Sequence, residues 1–381
     1  MNYLQYIASM NYGNQPFSDI RFLLSGTDSA VRQVLGHHIL TSAFNRHKTL
    51  FLVDNTQNHS ELTNLGPYRV TNILNGDINL CEDLLEVFSL KGISRLRSLL
   101  MDLGFDSSRT MKVVRYLSFV RETENRLGNS GVLTADILME YGGSTLVKWK
   151  LRQLVEAGKL SDDSYDYLLC RFAEVSSAAA DFEMFLVLLE PFLHGTSQPT
   201  EGIAIRLPIG EFESDKPVQK MMSKLMMSFV NNNPDSCAIL ILDAGKGDRS
   251  EILDILMTLP ITTNAYLLSN DAFSMDEENI SILMNTFPVR IYSRHETMSS
   301  CSKIESCCGY VDVVKRSYTT TIDKRLRANS AFDMLLGTNR TEAEMRNAPV
   351  REARYRREII NALRSGTAII DCGGVQVLFQ F

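Results

Sequence analysis

The order of elements in the first 55 residues constrains the fold more tightly than any composition figure. Phe22-Leu23-Leu24-Ser25-Gly26 reads as a short buried strand that arrives at a glycine. Thr27-Asp28-Ser29 follows, then a helical stretch from Ala30 to about Arg46, then a second strand from Leu50 to Asp54. A strand, a turn, a helix and a strand in that order open an α/β sheet, and the strand ends are where such a sheet meets its ligands. With 381 residues, 44% of them apolar, the chain can bury one large α/β domain plus an inserted unit.

Three parts follow from the patterning. Residues 1–79 are β-rich at their apolar segments (Ile20–Ser25, Thr49–Asp54, Tyr68–Leu74), with Asn75-Gly76-Asp77 as turn chemistry. Residues 80–195 are helical in pattern, with apolar residues at helical spacing in Glu82–Ser89, Ser94–Leu103, Ser108–Thr123, Leu133–Tyr141, Thr145–Ala157 and Ser161–His194. Asp106-Ser107-Ser108 and Ser161-Asp162-Asp163 are helix starts, and Gly158 and Gly195 are stops. Residues 196–381 return to α/β. Gly202–Leu207, Cys237–Asp243, Ala265–Ser269 and Arg290–Ser293 are strand-like, and Lys216–Asn231 is a helix whose Met221, Met222, Met226 and Met227 share a core-facing side. The expected architecture is one α/β domain interrupted by an all-helical insertion.

The turn at Gly26 has the frame of a phosphate loop without its chemistry. A working loop reads G-x-x-x-x-G-K-[ST], its backbone amides around the phosphates and its lysine on their charge. Here Gly26 runs into Thr27-Asp28-Ser29-Ala30-Val31-Arg32 with no Gly-Lys-Ser/Thr nearby, and Asp28 stands where it repels an incoming phosphate. The strand Cys237–Asp243 reads like the second nucleotide strand of such a domain, with Asp243 as the magnesium-side acid. The next residue, where a catalytic glutamate is expected, is Ala244. A buried parallel strand that merely ends in Asp is the plainer account of the same residues.

Further candidates are looser. Gly245-Lys246-Gly247 lies between a strand and a helix over Glu251–Leu259, where helix amides gather anions; capping by Asp248 or Ser250 accounts for the same pattern. Ser269-Asn270-Asp271 ends another strand at the position of a polar γ-phosphate sensor, or of an ordinary Asn/Asp turn. Arg290 and Arg294 are either arginine fingers or exposed arginines. Basic residues concentrate from Lys315 to Arg364, where Arg351, Arg354, Arg356 and Arg357 form either a polyanion-contacting patch or a solvated face with ion pairs.

A formal charge of −6 argues against whole-surface nucleic-acid binding. Seven cysteines suit reduced thiols in a cytosol. His295, Cys301, Cys307 and Cys308 lack the C-x-x-C spacing of a zinc knuckle, so no metal site is expected. No signal peptide is evident, and no apolar run approaches the roughly 20 residues that span a bilayer. The expectation is a soluble, cytoplasmic protein with no membrane span.

These elements, taken in order, resemble the type IV secretion coupling ATPases, the TraG/TraD-type conjugation proteins related to the FtsK/HerA motors. The likeness rests on the degenerate loop at Gly26, the Asp-ended strand at Val53-Asp54, the helical insertion and the Cys237–Asp243 strand. The tail adds to it: Gly309–Val314, a basic stretch, then Arg356–Ile370 as a closing helix, turn and last strand. It spans about four-fifths of the chain. It implies a RecA-like, P-loop NTPase-type, mostly parallel sheet with helices on both faces. It also implies assembly into homo- or hetero-oligomeric rings, protein partners in a secretion or conjugation machine, and movement of DNA or protein substrates. Three departures stand out: the family's membrane anchor is missing, Ala30–Arg32 offers no P-loop lysine, and Ala244 replaces the glutamate.

Three functions are therefore expected in this order. The first is a pseudo-ATPase with no cofactor, acting as a structural or regulatory partner in transfer. The second is a live motor using ATP and Mg2+ through an unconventional loop, either Gly26-Thr27-Asp28-Ser29 or Gly245–Ser250. The third is a module that contacts DNA through Arg351, Arg354, Arg356 and Arg357 without nucleotide.

Overall fold

The computed structural model describes residues 21–56, 66, 68–74, 78, 80, 81, 90–129, 133, 135–193, 199–320, 343–372 and 374–381. The helix expected at Glu82–Ser89, the Asn75–Asp77 turn and the Gly195 stop lie outside them.

Eleven strands are seen among the described residues: β1 Phe22–Ser25, β2 Thr49–Asn55, β3 Arg69–Asn72, β4 Ile203–Leu207, β5 Cys237–Asp243, β6 Asn264–Ser269, β7 Val289–Tyr292, β8 Tyr310–Thr320, β9 Ala343–Ala353, β10 Thr367–Cys372 and β11 Val375–Gln380. Nine of them form one sheet in the order β11-β10-β7-β1-β6-β5-β2-β4-β3. The seven strands from β7 to β3 run parallel. β10 and β11 close one edge antiparallel. The fold is thus the expected mostly parallel α/β sheet.

Burial explains why the inner strands read as unbroken apolar runs. Every residue of β5 is buried, because helices cover both faces of a parallel sheet. Side chains alternate between those faces. Phe22 and Leu24 pack with Val31, Leu35, Ile39 and Leu40 of the helix Ser29–Asn45 (α1). Leu23, Phe51, Ile239, Ile241 and Leu267 point the other way, into a larger core shared with the remaining helices. Full burial of a side chain such as Leu240 contributes roughly 1.5–3 kcal/mol.

Between β3 and β4 the described elements, from Leu90 to Leu189, are all helical. Their starts follow the expected chemistry. Asp106 accepts from the Arg109 amide at 2.8 Å, and Ser161 from the Ser164 amide at 3.3 Å. Tyr116 stacks on Phe182 with ring centroids 4.5 Å apart at the centre of this unit. Lys216–Asn232 is a helix, and its four methionines are buried.

The tail departs from expectation in two ways. Ala368–Ile370 belongs to β10, which is not the last strand: β11 follows it on the sheet edge. The closing helix is short, Arg357–Asn361, and β8 and β9 form a separate two-stranded ribbon. Its strands run apolar residues together (Val313-Val314) and polar ones together (Lys315-Arg316-Ser317), so the basic stretch carries no period of 2 to mark it as a strand.

Candidate functional site

The parallel strands bring their carboxyl ends to one edge. Ser25 of β1 lies in register with Ser269 of β6, Ser269 with Asp243 of β5, and Asp243 with Asn55 of β2. A cavity of about 640 Å³ opens there, lined among others by Thr27, Asn55, Ala244, Lys246, Asn270 and His295. Such a crevice is the usual ligand position in an open α/β sheet. It gathers three of the expected loops: Gly26–Ser29, Gly245–Gly247 and Ser269–Asp271.

The first loop is fixed by its own chain. The Gly26 amide donates to Ser269 O at 3.0 Å and the Thr27 amide to Arg294 O at 2.9 Å. Gly26 has φ +139°, and a Cβ there would stand 2.1 Å from Ser293 Oγ and 2.9 Å from Arg294 O. Glycine is therefore required here by conformation and by space.

Asp28 is buried at the start of α1, and its carboxylate collects donors. Oδ1 accepts from the Ala30 amide at 2.9 Å and the Val31 amide at 3.2 Å. Oδ2 accepts from the Gly366 amide at 2.8 Å, and Ser365 Oγ lies 3.4 Å from Oδ1. The first amides of α1, a helix end that can gather anions, are thus turned towards a carboxylate of the same chain. Arg32, one turn along, is buried and reaches across β6, donating to Leu268 O at 3.0 Å and to Asn270 Oδ1.

Asp243 is fully buried. Ser269 Oγ donates to its Oδ2 at 2.6 Å, and the Gly245 amide to its Oδ1 at 3.2 Å. Arg249 Nε stands 3.3 Å from Oδ1, but its N–H is not aimed at that oxygen, so the contact is an ion pair without a hydrogen bond. Asn55 Nδ2 completes the shell at 3.5 Å. Donors enclose the carboxylate and an arginine neutralises it, which is a poor fit to a magnesium ligand: hard cations take oxygen ligands that remain exposed to them.

The second loop repeats the pattern. Gly245 and Gly247 have φ +78° and +80°. The amide of Asp248 donates to Glu213 Oε1 at 3.3 Å. Asp248 Oδ1 accepts from the Ser250 amide at 2.8 Å and so begins the helix Ser250–Thr258, while its Oδ2 pairs with Lys216 Nζ at 2.5 Å. The Lys216 hydrogen bond, with help from Ser250, holds the Asp248 carboxyl down at about 2. Lys246 is exposed on the cavity wall and makes no hydrogen bond or ion pair with the described residues.

No protein-family model matches the chain, and no curated protein matches it. Solved structures do. The unbound monoclinic form of the bacterial conjugative coupling protein TrwBdeltaN70 matches at 12% identity with a TM-score of 0.50, over 97% of this chain and 87% of that one. Its trigonal form in complex with sulphate matches at 12% identity with a TM-score of 0.51, over the same shares. The plasmid coupling protein TrwB in complex with the GTP analogue GDPNP matches at 11% identity with a TM-score of 0.51, over 94% of this chain and 84% of that one. The chain has the fold of the conjugative coupling proteins.

The remaining candidates take their places within this coupling-protein fold. Asn270 and Asp271 leave the end of β6; Asp271 caps the turn Ala272–Ser274 through the Phe273 amide and accepts from Ser300 Oγ at 2.7 Å. Arg290 is held at the sheet by Asp371 at 2.9 Å and by the carbonyls of Phe287 and Met284. Arg294 is exposed beside the first loop. Arg354 contacts Gln376 Oε1, Arg356 pairs with Glu352, and Arg357 with Glu358. Of Arg351 only the backbone is described, in register with Asp312 on the ribbon. Carboxylates thus interleave the C-terminal arginines. Among the described residues no group of three or more His, Cys, Asp or Glu is placed to hold a metal, and no helix is long and apolar enough to cross a membrane.

Sequence reasoning overlooked His295 as a member of this edge. It is 1% exposed. Its Nδ1 lies 2.9 Å from Ser293 O, which places the proton on Nδ1, so Nε2 accepts from Ser25 Oγ at 2.8 Å. Burial lowers its pKa and keeps it neutral. Arg32, Glu213 and Arg249 were also missed. Each contacts a residue more than twenty positions away, and local motifs carry no signal of such pairs.

Proposed function

We propose that the chain is a RecA-like pseudo-ATPase of the coupling-protein type, acting as a structural or regulatory partner in DNA or protein transfer. The observation that carries this reading is the Asp28 carboxylate, which takes the Ala30, Val31 and Gly366 amides at the head of α1. Solved coupling proteins of this fold carry GDPNP or sulphate. An anionic ligand at the α1 head of this chain would have to displace a buried carboxylate of like charge and break its charge-assisted hydrogen bonds. The enclosure of Asp243 by Ser269, Gly245 and Arg249 supports the same reading, as does Ala244 in place of a water-activating acid. Function then resides in surfaces presented to protein partners, in a ring or alongside an active ATPase.

A second reading, a live nucleotide-dependent motor, has two observations on its side: the cavity of about 640 Å³ at the strand ends and the uncommitted Lys246 on its wall. Phosphate release from Mg-ATP, measured with and without single- and double-stranded DNA, separates the two. The pseudo-ATPase gives no release above buffer under any condition. Release that is abolished by Lys246→Ala establishes the motor.

A further inference from the structure

Two of the helices between β3 and β4 turn outward faces of opposite charge. In the helix Ser144–Glu156, the buried Val147 and Leu151 mark the inward side. Leu146, Lys148, Trp149 and Arg152 are exposed on the outward arc, which one acid, Glu156, closes at the helix end. Trp149 is the sole tryptophan of the chain and is 59% exposed. Lys148 and Arg152 flank it and make no ion pair with the described residues. Neighbouring cations do: Arg109 and Lys112 pair with Asp181, Arg126 and Arg171 with Glu122, and Lys150 with Glu124 and Glu140. The helix Ala179–Leu189 buries Phe182, Phe185, Leu186 and Leu189. Glu183, Met184 and Val187 are exposed on its other side, and Glu190 follows at the C-cap. Spacings of three and four place Glu183, Val187 and Glu190 in one row, and Val187 is 65% exposed. That helix carries no base. Arg109, which reaches Met184 Sδ at 3.3 Å, is already held by Asp181 at 2.7 Å. Glu183 and Glu190 make no ion pair with the described residues.

We infer that these two faces meet between molecules: the helix Ser144–Glu156 of one copy of this chain packs on the helix Ala179–Leu189 of another. Trp149 then covers Val187 and Met184, while Lys148 and Arg152 face Glu183 and Glu190. Each face has an apolar centre rimmed by uncompensated charge, basic on one and acidic on the other, so each lacks what the other supplies. Matched potentials of this kind select the partner and its orientation, and tryptophan and arginine are the residues that most often anchor a contact. The overall charge also points to this pairing. A net −6 makes two copies repel on average, and a basic face against an acidic one is where that repulsion reverses. Two helices of this length bury less than the roughly 1,200 Å² of a standard stable interface, so the contact forms and dissociates with concentration, with a Kd between about 1 µM and 1 mM. The use of such a contact rests on the reading that function resides in surfaces presented to proteins, but the two fail separately: phosphate release decides the nucleotide question and tryptophan emission decides this one.

Because Trp149 is the sole tryptophan, its fluorescence reports the contact directly. The test follows emission of the full chain as its concentration is raised through the expected Kd range, with sedimentation velocity alongside. The wild type should shift to shorter wavelength as it associates. Two charge-reversed variants are made, Lys148→Glu with Arg152→Glu and Glu183→Lys with Glu190→Lys, each shown folded by circular dichroism. Each variant alone sets like charges across the contact and should associate about a hundredfold more weakly or worse. An equimolar mixture of the two restores opposite charges and should recover both the emission shift and the faster sedimentation. A wild-type chain that stays monomeric with unshifted emission overturns the proposal. So does self-association that either folded variant retains at full strength, or a mixture of folded variants that recovers neither signal.

Discussion

Replacing Asp28 by alanine removes the carboxylate on which the functional reading depends, and its cost follows from the bonds lost. The helix cap to Ala30 and Val31 is worth about 0.5–2 kcal/mol. The Gly366 amide, bonded at 2.8 Å, loses a charged acceptor in a half-buried setting, which costs a further 1–3 kcal/mol or so. A total of about 2–4 kcal/mol is expected, and in a chain of this size that moves the melting temperature by only a few degrees. Amide hydrogen exchange is the sharper assay. If opening is local, exchange at Gly366 and at the α1 head quickens by about 30- to 1,000-fold, at tenfold per 1.4 kcal/mol, while β5 amides change less. The freed amides should also acquire an affinity for inorganic phosphate, seen as phosphate-dependent slowing of exchange in Asp28→Ala and not in the wild type. Unchanged exchange at Gly366 would show that the clamp is not formed and would refute the reasoning.

Other perturbations test other contacts. Gly26→Ala places a Cβ against Ser293 Oγ and Arg294 O at φ +139° and should cost about 2–5 kcal/mol in urea unfolding. Ser293 Oγ has no hydrogen-bond partner among the described residues, so Ser293→Ala should be nearly neutral alone and should recover part of that loss in the double variant; no recovery would mean the clash lies elsewhere. Arg206 binds the buried Asp54 at 2.7 and 3.0 Å, so Arg206→Met should destabilise by about 3–5 kcal/mol, and a loss under 1 kcal/mol would contradict the pairing. His295 is held neutral by burial, its pKa below the ordinary 6.5. Below pH 6.5 the unfolded chain binds a proton that the folded chain refuses, so stability is full above 6.5 and falls as pH drops towards the lowered folded value, by at most about 1.4 kcal/mol per pH unit. The stability difference between wild type and His295→Gln should shrink across that window, and a difference independent of pH would show that His295 protonates equally in both states.

The inner sheet was legible because its strands are buried on both faces and read as unbroken apolar runs: Cys237–Asp243 matches β5 to the residue, and the expected segment Ile20–Ser25 contains β1, Phe22–Ser25. The helix starts at Asp106 and Ser161 were legible because capping is local chemistry. β11 was not, since Val375–Gln380 alternates polar and apolar only weakly after a glycine turn, and edge pairing is decided by a partner strand. At the candidate site, the sequence exposed the missing lysine and suggested repulsion by Asp28. It could not show that Asp28 occupies the amides, because two of its donors come from Ser365 and Gly366, more than 330 residues away. The neutralising Arg249 beside Asp243 was also hidden: five residues separate them in sequence, yet only the fold turns the loop back.

Calorimetric titration of the purified chain with Mg-ATP and with a non-hydrolysable analogue tests the central claim most directly. An α1 head already filled by Asp28 predicts no binding heat for either ligand at high protein concentration. Saturable micromolar binding of the analogue, lost on Lys246→Ala, would contradict that account and place a working phosphate site in the cavity at the strand ends.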